Sequence, residues 1–331
     1  MATFERIVLA SRPRGAVVPE NFRLESVPVP GIAKDEVLVR NHFLSLDPYM
    51  RGRMSEAKSY ASPQALDHTM IGGTAGEVVA SKHSDFRVGD TVVGMLGWAG
   101  MGVADGALLR KVDATRSPLS AYLGVLGMPG MTAWYGLNRI MRASSGDTIL
   151  VSAASGAVGS AVGQLARLQG CRVVGIAGGP VKCAYVVEEL GFDVCVDYKA
   201  GNLAADLAAA APDGIDALFE NVGGAGFDAA LPLMNAFGRI ALCGLIAGYN
   251  GDDLAVRNMR FMLTNRLSMR GFIVTEHLDV WPHGLGELGA LVAEGKLKYR
   301  ETVAQGLAAA PEAFIGLLQG RNFGKQLVKL L

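Results

Sequence analysis

The stretch Ile149-Leu150-Val151-Ser152-Ala153-Ala154-Ser155-Gly156-Ala157-Val158-Gly159-Ser160-Ala161-Val162-Gly163 sets the tightest limit on what this chain can become. Its apolar start reads as a buried strand, its Ser, Ala and Gly as a tight turn, and its small-residue end as a helix packed closely on that strand. Ala154, Gly156 and Gly159 stand where a dinucleotide-binding fingerprint has its three glycines, so that backbone can approach a pyrophosphate seated on a helix N-terminus. The same composition also suits a turn that merely lets a helix pack on a strand; the strand before it and the helix after it favour the dinucleotide reading.

That segment opens a regular series. Strand-like runs at Thr148–Ser152, Arg172–Ala177, Val194–Val196, Ile215–Phe219 and Gly238–Cys243 alternate with helical stretches at Val158–Gln169, near Val181–Leu190 and after Gly224. This rhythm predicts an α/β fold with a doubly wound parallel sheet. The first 110 or so residues read differently. Short segments such as Glu36–Arg40, Gly76–Ala80 and Asp90–Gly94 are separated by Gly, Pro and Asp, the pattern of short strands in a barrel or sandwich. A last strand, Gln326–Leu330, needs a sheet to join, and the N-terminal β domain is its expected host. We therefore expect a β-rich domain from residues 1–125 and 300–331, and a cofactor domain from 126–299.

Composition narrows the function. Lys plus Arg and Asp plus Glu both total 31, so no net field draws the chain to nucleic acid or an anionic membrane. The four cysteines, Cys171, Cys183, Cys195 and Cys243, are never two to four residues apart, which argues against a zinc knot or a CxxC redox pair and for thiols in a reducing cytoplasm. The start, with Glu5 and no long apolar core, does not read as a secretory signal. Two uncharged runs, 117–138 and 148–166, are too rich in Gly, Pro and Ala to read as bilayer spans. Small molecules and further copies of this chain are the expected partners.

In NAD-binding versions of such a fold, a carboxylate at the end of the second strand accepts from the adenosine ribose 2′-hydroxyl. Here that strand runs into Gly178-Gly179-Pro180 instead. Lys182 follows, and Tyr198 stands just past the third strand, so a cation and a phenol are placed to meet a 2′-phosphate. NADPH is the expected cofactor.

The residues resemble a known family, the zinc-independent branch of the medium-chain dehydrogenases/reductases that holds the prostaglandin, alkenal double-bond and curcumin reductases. The resemblance runs through Leu46-Asp47-Pro48-Tyr49-Met50-Arg51, Gly127–Ala133, the fingerprint, Glu220-Asn221-Val222-Gly223-Gly224 and Asn322-Phe323-Gly324-Lys325-Gln326. It implies a GroES-like β-rich catalytic domain, a Rossmann cofactor domain and a cleft between them. It also implies a pyrophosphate over Ser155, Gly156, Ala157 and Val158, and a 2′-phosphate on Lys182 and Tyr198. Further cofactor contacts are implied at Asn221, Cys243, Gly244, Leu245, Tyr249, Phe272, Ile273, Val274 and Asn322. A homodimer is implied as well. One departure concerns selectivity: family members often carry a hydroxyl residue shortly before the phosphate-binding lysine, and Gly178-Gly179-Pro180 offers none.

Zinc enzymes of the superfamily have His and Glu where this chain has Gly72 and Gly73, and no cysteine precedes Cys171, so no metal is expected. Without a metal to steady an alkoxide, alcohol oxidation is poorly supported. Hydride transfer from NADPH to the C=C bond of an α,β-unsaturated ketone or aldehyde asks only for alignment and a hydrogen bond to the carbonyl oxygen. Tyr49 and Tyr249, on segments that the resemblance places at the cleft, are the candidate donors, with the nicotinamide ribose hydroxyl as a third; both rings also suit apolar walls, with solvent then giving the proton. A quinone reductase and a non-catalytic NADPH-binding sensor are the alternatives. Met50, Met128 and Met131 suit either an adaptable lining or plain packing.

Overall fold

The computed structural model describes residues 2–331. Two compact units divide the chain: one runs to Gly124 and resumes at Glu301–Leu331, and the other is Val125–Arg300.

The first unit is built on β-strands. β1 (Thr3–Leu9) and β2 (Phe22–Pro28) form an antiparallel pair. β3 (Glu36–Ser45), β4 (Thr74–Ser81), β5 (Thr91–Gly94), β6 (Met101–Asp105), β7 (Arg110–Lys111), β14 (Glu301–Gln305) and β15 (Lys325–Lys329) make a seven-stranded sheet ordered β14-β15-β3-β4-β5-β7, with β6 also on β3. The C-terminal strand does join the N-terminal sheet, pairing antiparallel to β3 with Leu327 opposite Ser45. Strand alternation buries Val37, Val39, Val78 and Val92 in one small core. A larger core gathers Phe22, Trp98 and Phe314, whose rings lie 5.2 to 6.4 Å apart in one stacked and two edge-on pairs. Met50 and Met54, from the short helix Tyr49–Arg53 and its end, are fully buried in that core, so the helix is held from beneath.

The second unit carries the predicted parallel sheet. β8 (Thr148–Val151), β9 (Arg172–Ala177), β10 (Val194–Asp197), β11 (Ile215–Glu220), β12 (Met234–Leu242) and β13 (Ser268–Gly271) are ordered β10-β9-β8-β11-β12-β13, every neighbouring pair parallel. Leu150, Val174, Ile176, Val196, Leu218 and Ile240 turn to the face covered by the helices Leu203–Ala210 and Gly224–Ala230. Ten residues, Gly159–Leu168, form the helix after the Gly-rich turn, with Val158 and Gln169 as its caps. Its second turn opens on Gly163, where a Cβ would stand 1.8 Å from the Phe192 ring. The strand order reverses between β8 and β11, and open parallel sheets place ligands outside the carboxyl ends of strands at that reversal.

The uncharged run 117–138 folds as the short turn Leu119–Leu123 and the helix Met128–Tyr135. Among the described residues no helix is long and apolar enough to cross a membrane.

Candidate functional site

The turn after β8 is shaped by close backbone contact. Ala153 takes a left-handed φ of 50°, Ala154 N–H donates to Ile176 O at 2.9 Å, and Gly156 N–H donates to Ala153 O at 2.9 Å. A Cβ on Gly159 would meet Ala153 O at 2.4 Å, so this third fingerprint position requires glycine. Val158 caps the helix with no side-chain hydrogen bond, and within the first turn Ser160 N–H donates to Gly156 O at 3.0 Å and Ala161 N–H to Val158 O at 3.1 Å.

At the end of β9 the chain turns through Gly178 and Gly179, the latter at φ 92°. Tyr198 is half exposed and its ring lies against Gly178, where a Cβ would stand 2.7 Å from it. Lys182, in the first turn of the helix Pro180–Glu188, has its pKa lowered by burial and then by the neighbouring Lys199. A residue not singled out from the sequence organises this corner. Asp197, at the end of β10, accepts from Gly179 N–H at 2.7 Å and Lys199 N–H at 2.9 Å, and these bonds hold its carboxyl below the usual range. The acid missing from β9 is thus present one strand away, spent on backbone rather than turned to a ribose.

Across the strand-order reversal, Asn221 N–H donates to Ser152 Oγ at 2.7 Å and Asn221 Nδ2 to Ser152 O at 2.8 Å. Gly223 and Gly224 follow at φ 76° and 62°, so the loop doubles back. The loop after β12 lies against it: Cys243 N–H and Gly244 N–H both donate to Glu220 O, and Ile246 N–H donates to Asn221 O at 3.3 Å. Leu245 N–H points to Tyr249 Oη at 3.5 Å. Asn221, Cys243, Gly244, Leu245 and Tyr249 therefore form one cluster at the carboxyl ends of β11 and β12. Phe272 and Val274 are buried, Phe272 against Tyr135 and Phe219, and of that trio only Ile273 is partly open.

Tyr49 and Asn322 belong to the other unit. Tyr49 packs against its large core, where burial and then the charge of Asp47 push the phenol well above its ordinary range. Asn322 Nδ2 donates to Gly324 O at 2.8 Å. Of the methionines considered for a lining, Met50 and Met131 are fully buried and act as packing.

The histidines are scattered, His277 stacked on Tyr135 and His83 against Phe86. No group of three or more His, Cys, Asp or Glu among the described residues is arranged to hold a metal ion. At Gly72 a Cβ would stand 2.8 Å from Leu44, so apolar packing fills the space that a ligand side chain would need. All four cysteines are free; burial pushes Cys171 up to about 11 and Cys243 up to about 12, and also raises Cys183 and Cys195.

Comparison with known proteins gives two family matches, one described as the N-terminal domain of oxidoreductase over residues 5–112 and one as zinc-binding dehydrogenase over residues 157–289. The chain is 48% identical to the NADPH-dependent curcumin reductase of Escherichia coli (strain K12), over 98% of this chain and 96% of that one. It is 43% identical to the 2-alkenal reductase (NADP(+)-dependent) of Nicotiana tabacum, over 89% and 87%. Among solved structures, CurA of Vibrio vulnificus in complex with NADPH superposes with a TM-score of 0.94 at 48% identity, over 99% of each chain.

Proposed function

Because this chain belongs to the zinc-independent branch of the medium-chain dehydrogenase/reductase family, which includes the curcumin and 2-alkenal reductases, we propose that it is an NADPH-dependent reductase of activated C=C bonds. The substrate class is α,β-unsaturated ketones and aldehydes. The observation that carries the cofactor half of this reading is the corner at Gly178: Tyr198 lies on it, Lys182 follows it, and the nearby Asp197 is engaged with backbone N–H groups. A cation and a phenol there suit a 2′-phosphate and leave a 2′-hydroxyl without its carboxylate.

In this reading Ser155, Gly156, Ala157 and Val158 hold the pyrophosphate, and Lys182 and Tyr198 the 2′-phosphate. Asn221, Cys243, Gly244, Leu245 and Tyr249 border the nicotinamide half, with Phe272, Ile273, Val274 and Asn322 as further contacts. Bound there, NADPH supplies a hydride to the β-carbon of the substrate. Negative charge then moves to the carbonyl oxygen as an enolate, and Tyr49 or Tyr249 donates a hydrogen bond to it. A tyrosine with a pKa near 10 or above does this without becoming charged. The Tyr249 oxygen lies 3.5 Å from Leu245 N, on the same loop as the cluster that borders the nicotinamide half. A proton then reaches the α-carbon from the tyrosine or from solvent. The expected homodimer belongs to the same proposal, with β13 as an exposed edge strand in the cofactor unit.

Loss of NADPH absorbance, followed with EDTA present over enones, enals, quinones and saturated ketones, tests this. Enone-dependent oxidation that yields the saturated ketone is expected. Turnover confined to quinones, an allylic alcohol as product, or loss of activity in EDTA would overturn it.

A further inference from the structure

One acid stands outside every role above. Glu220, the last residue of β11, is 1% exposed and lies beside β8 where the strand order reverses. Its two oxygens are treated unequally. Oε1 accepts from Ser152 Oγ–H at 2.8 Å, Val222 N–H at 2.6 Å and Gly223 N–H at 2.8 Å. Oε2 is closed off from solvent and meets no hydrogen-bonding partner among the described residues.

That asymmetry bears on protonation. An ionised carboxylate shares its charge over both oxygens, so Oε2 would hold half a charge in a buried place with nothing to compensate it. A carboxylic acid fits better, with Oε1 as the carbonyl that takes three donors and the proton on Oε2. The groups facing Glu220 supply no countercharge: the N–H groups of Asn221, Val222 and Gly223, the Ser152 hydroxyl, and the Cys243 thiol after β12. Burial acts in the same direction, raising the carboxyl above its usual range.

We propose that Glu220 works as a neutral carboxylic acid and as a positioning residue, fixing the loop Asn221–Gly224 in the form that receives the cofactor. Its carbonyl ties Val222 and Gly223 to the end of β8 through Ser152, and the same serine accepts from Asn221 N–H. The loop is thereby set before ligand arrives, and neutrality keeps a fixed negative charge away from an anionic dinucleotide. This inference rests on the reading that the loop borders NADPH.

Three measurements test it. Infrared spectra of the ligand-free wild type at neutral pH should show a protonated-carboxyl carbonyl band that is lost in Glu220→Gln. Glu220→Gln keeps the accepting carbonyl and should hold the KM for NADPH within about threefold, whereas Glu220→Ala should raise it about tenfold or more with a smaller change in kcat. An ionised Glu220 band, or Glu220→Gln losing as much NADPH affinity as Glu220→Ala, would overturn the proposal. Fluorescence titration of the wild type with NADPH separates the two readings. Absence of binding sinks the cofactor assignment, while the infrared band decides the state of Glu220 independently and without cofactor.

Discussion

Lys325 and Asp47 are 278 positions apart in the chain and 2.5 Å apart in space, Nζ to Oδ1, with only 5% and 8% of their side chains exposed. Lys325 Nζ also donates to Leu46 O at 2.9 Å, and Ser45 Oγ–H donates to Asp47 Oδ2. The pair joins β15 to the corner between β3 and the helix that begins at Tyr49. Replacing Lys325 by Met would strand the Asp47 charge in the interior, at a cost of about 3–5 kcal/mol. Urea unfolding should show that loss, and Lys325→Met combined with Asp47→Asn should recover part of it. Equal stability of Lys325→Met and wild type would show that the pair contributes nothing.

Tyr49 should respond to alkali through the same corner. Its folded pKa lies above the ordinary value of about 10, so on raising the pH the unfolded chain gives up this proton first. The contribution to stability is therefore complete below about pH 10 and falls as the pH rises through the folded value. Tyr49→Phe should flatten that alkaline limb of the stability curve. Its effect on kcat, set beside that of Tyr249→Phe, assigns the hydrogen-bond donor.

Lys182→Ala removes one charge-assisted bond to the proposed 2′-phosphate, worth roughly 1.5–3 kcal/mol, or about ten- to a hundredfold in affinity. The KM for NADPH should rise by that factor while the KM for NADH stays nearly constant. Parallel rises for both cofactors would place Lys182 elsewhere in the site.

Gly159→Ala brings a methyl 2.4 Å from Ala153 O, which is backbone and cannot swing aside. The turn must open, and NADPH binding should weaken about tenfold or more as its N–H groups lose their aim. Calorimetric titration reads this directly. An unchanged dissociation constant would mean that the turn does not bear the pyrophosphate.

Enones alkylate thiolates, and a free cysteine with a pKa near 8.5 is readily attacked. Burial lifts Cys171 to about 11 and also raises Cys243, so both thiols stay protonated at neutral pH. Intact-mass spectra after incubation with excess enone should therefore show far fewer adducts than the unfolded chain acquires. Rapid modification at Cys171 would contradict its burial.

The parallel sheet and the fingerprint turn could be read from the sequence because β8, β9 and β11 are buried on both faces and their residues are nearly all apolar. β13 could not: it is an edge strand, all four of its residues are exposed, and Ser-Met-Arg-Gly carries no apolar run. Tyr198 and Lys182 stood out by residue type, whereas Asp197 and Glu220 did not. Their distant partners, Gly179 N–H for Asp197 and a serine 68 positions earlier for Glu220, leave no local pattern. Met50 and Met131 show the converse limit, since an apolar residue near a turn reads alike whether it lines a site or fills a core.

The seating of β15 beside β3 has a consequence for synthesis on the ribosome. All of Val125–Arg300 emerges before Lys325–Lys329 exists, so the cofactor unit can finish folding while the end of β3, Phe43–Ser45, still lacks its neighbour. During that interval the nascent N-terminal sheet has an open hydrogen-bonding edge, and stray strands can pair with it until Lys325–Lys329 close it.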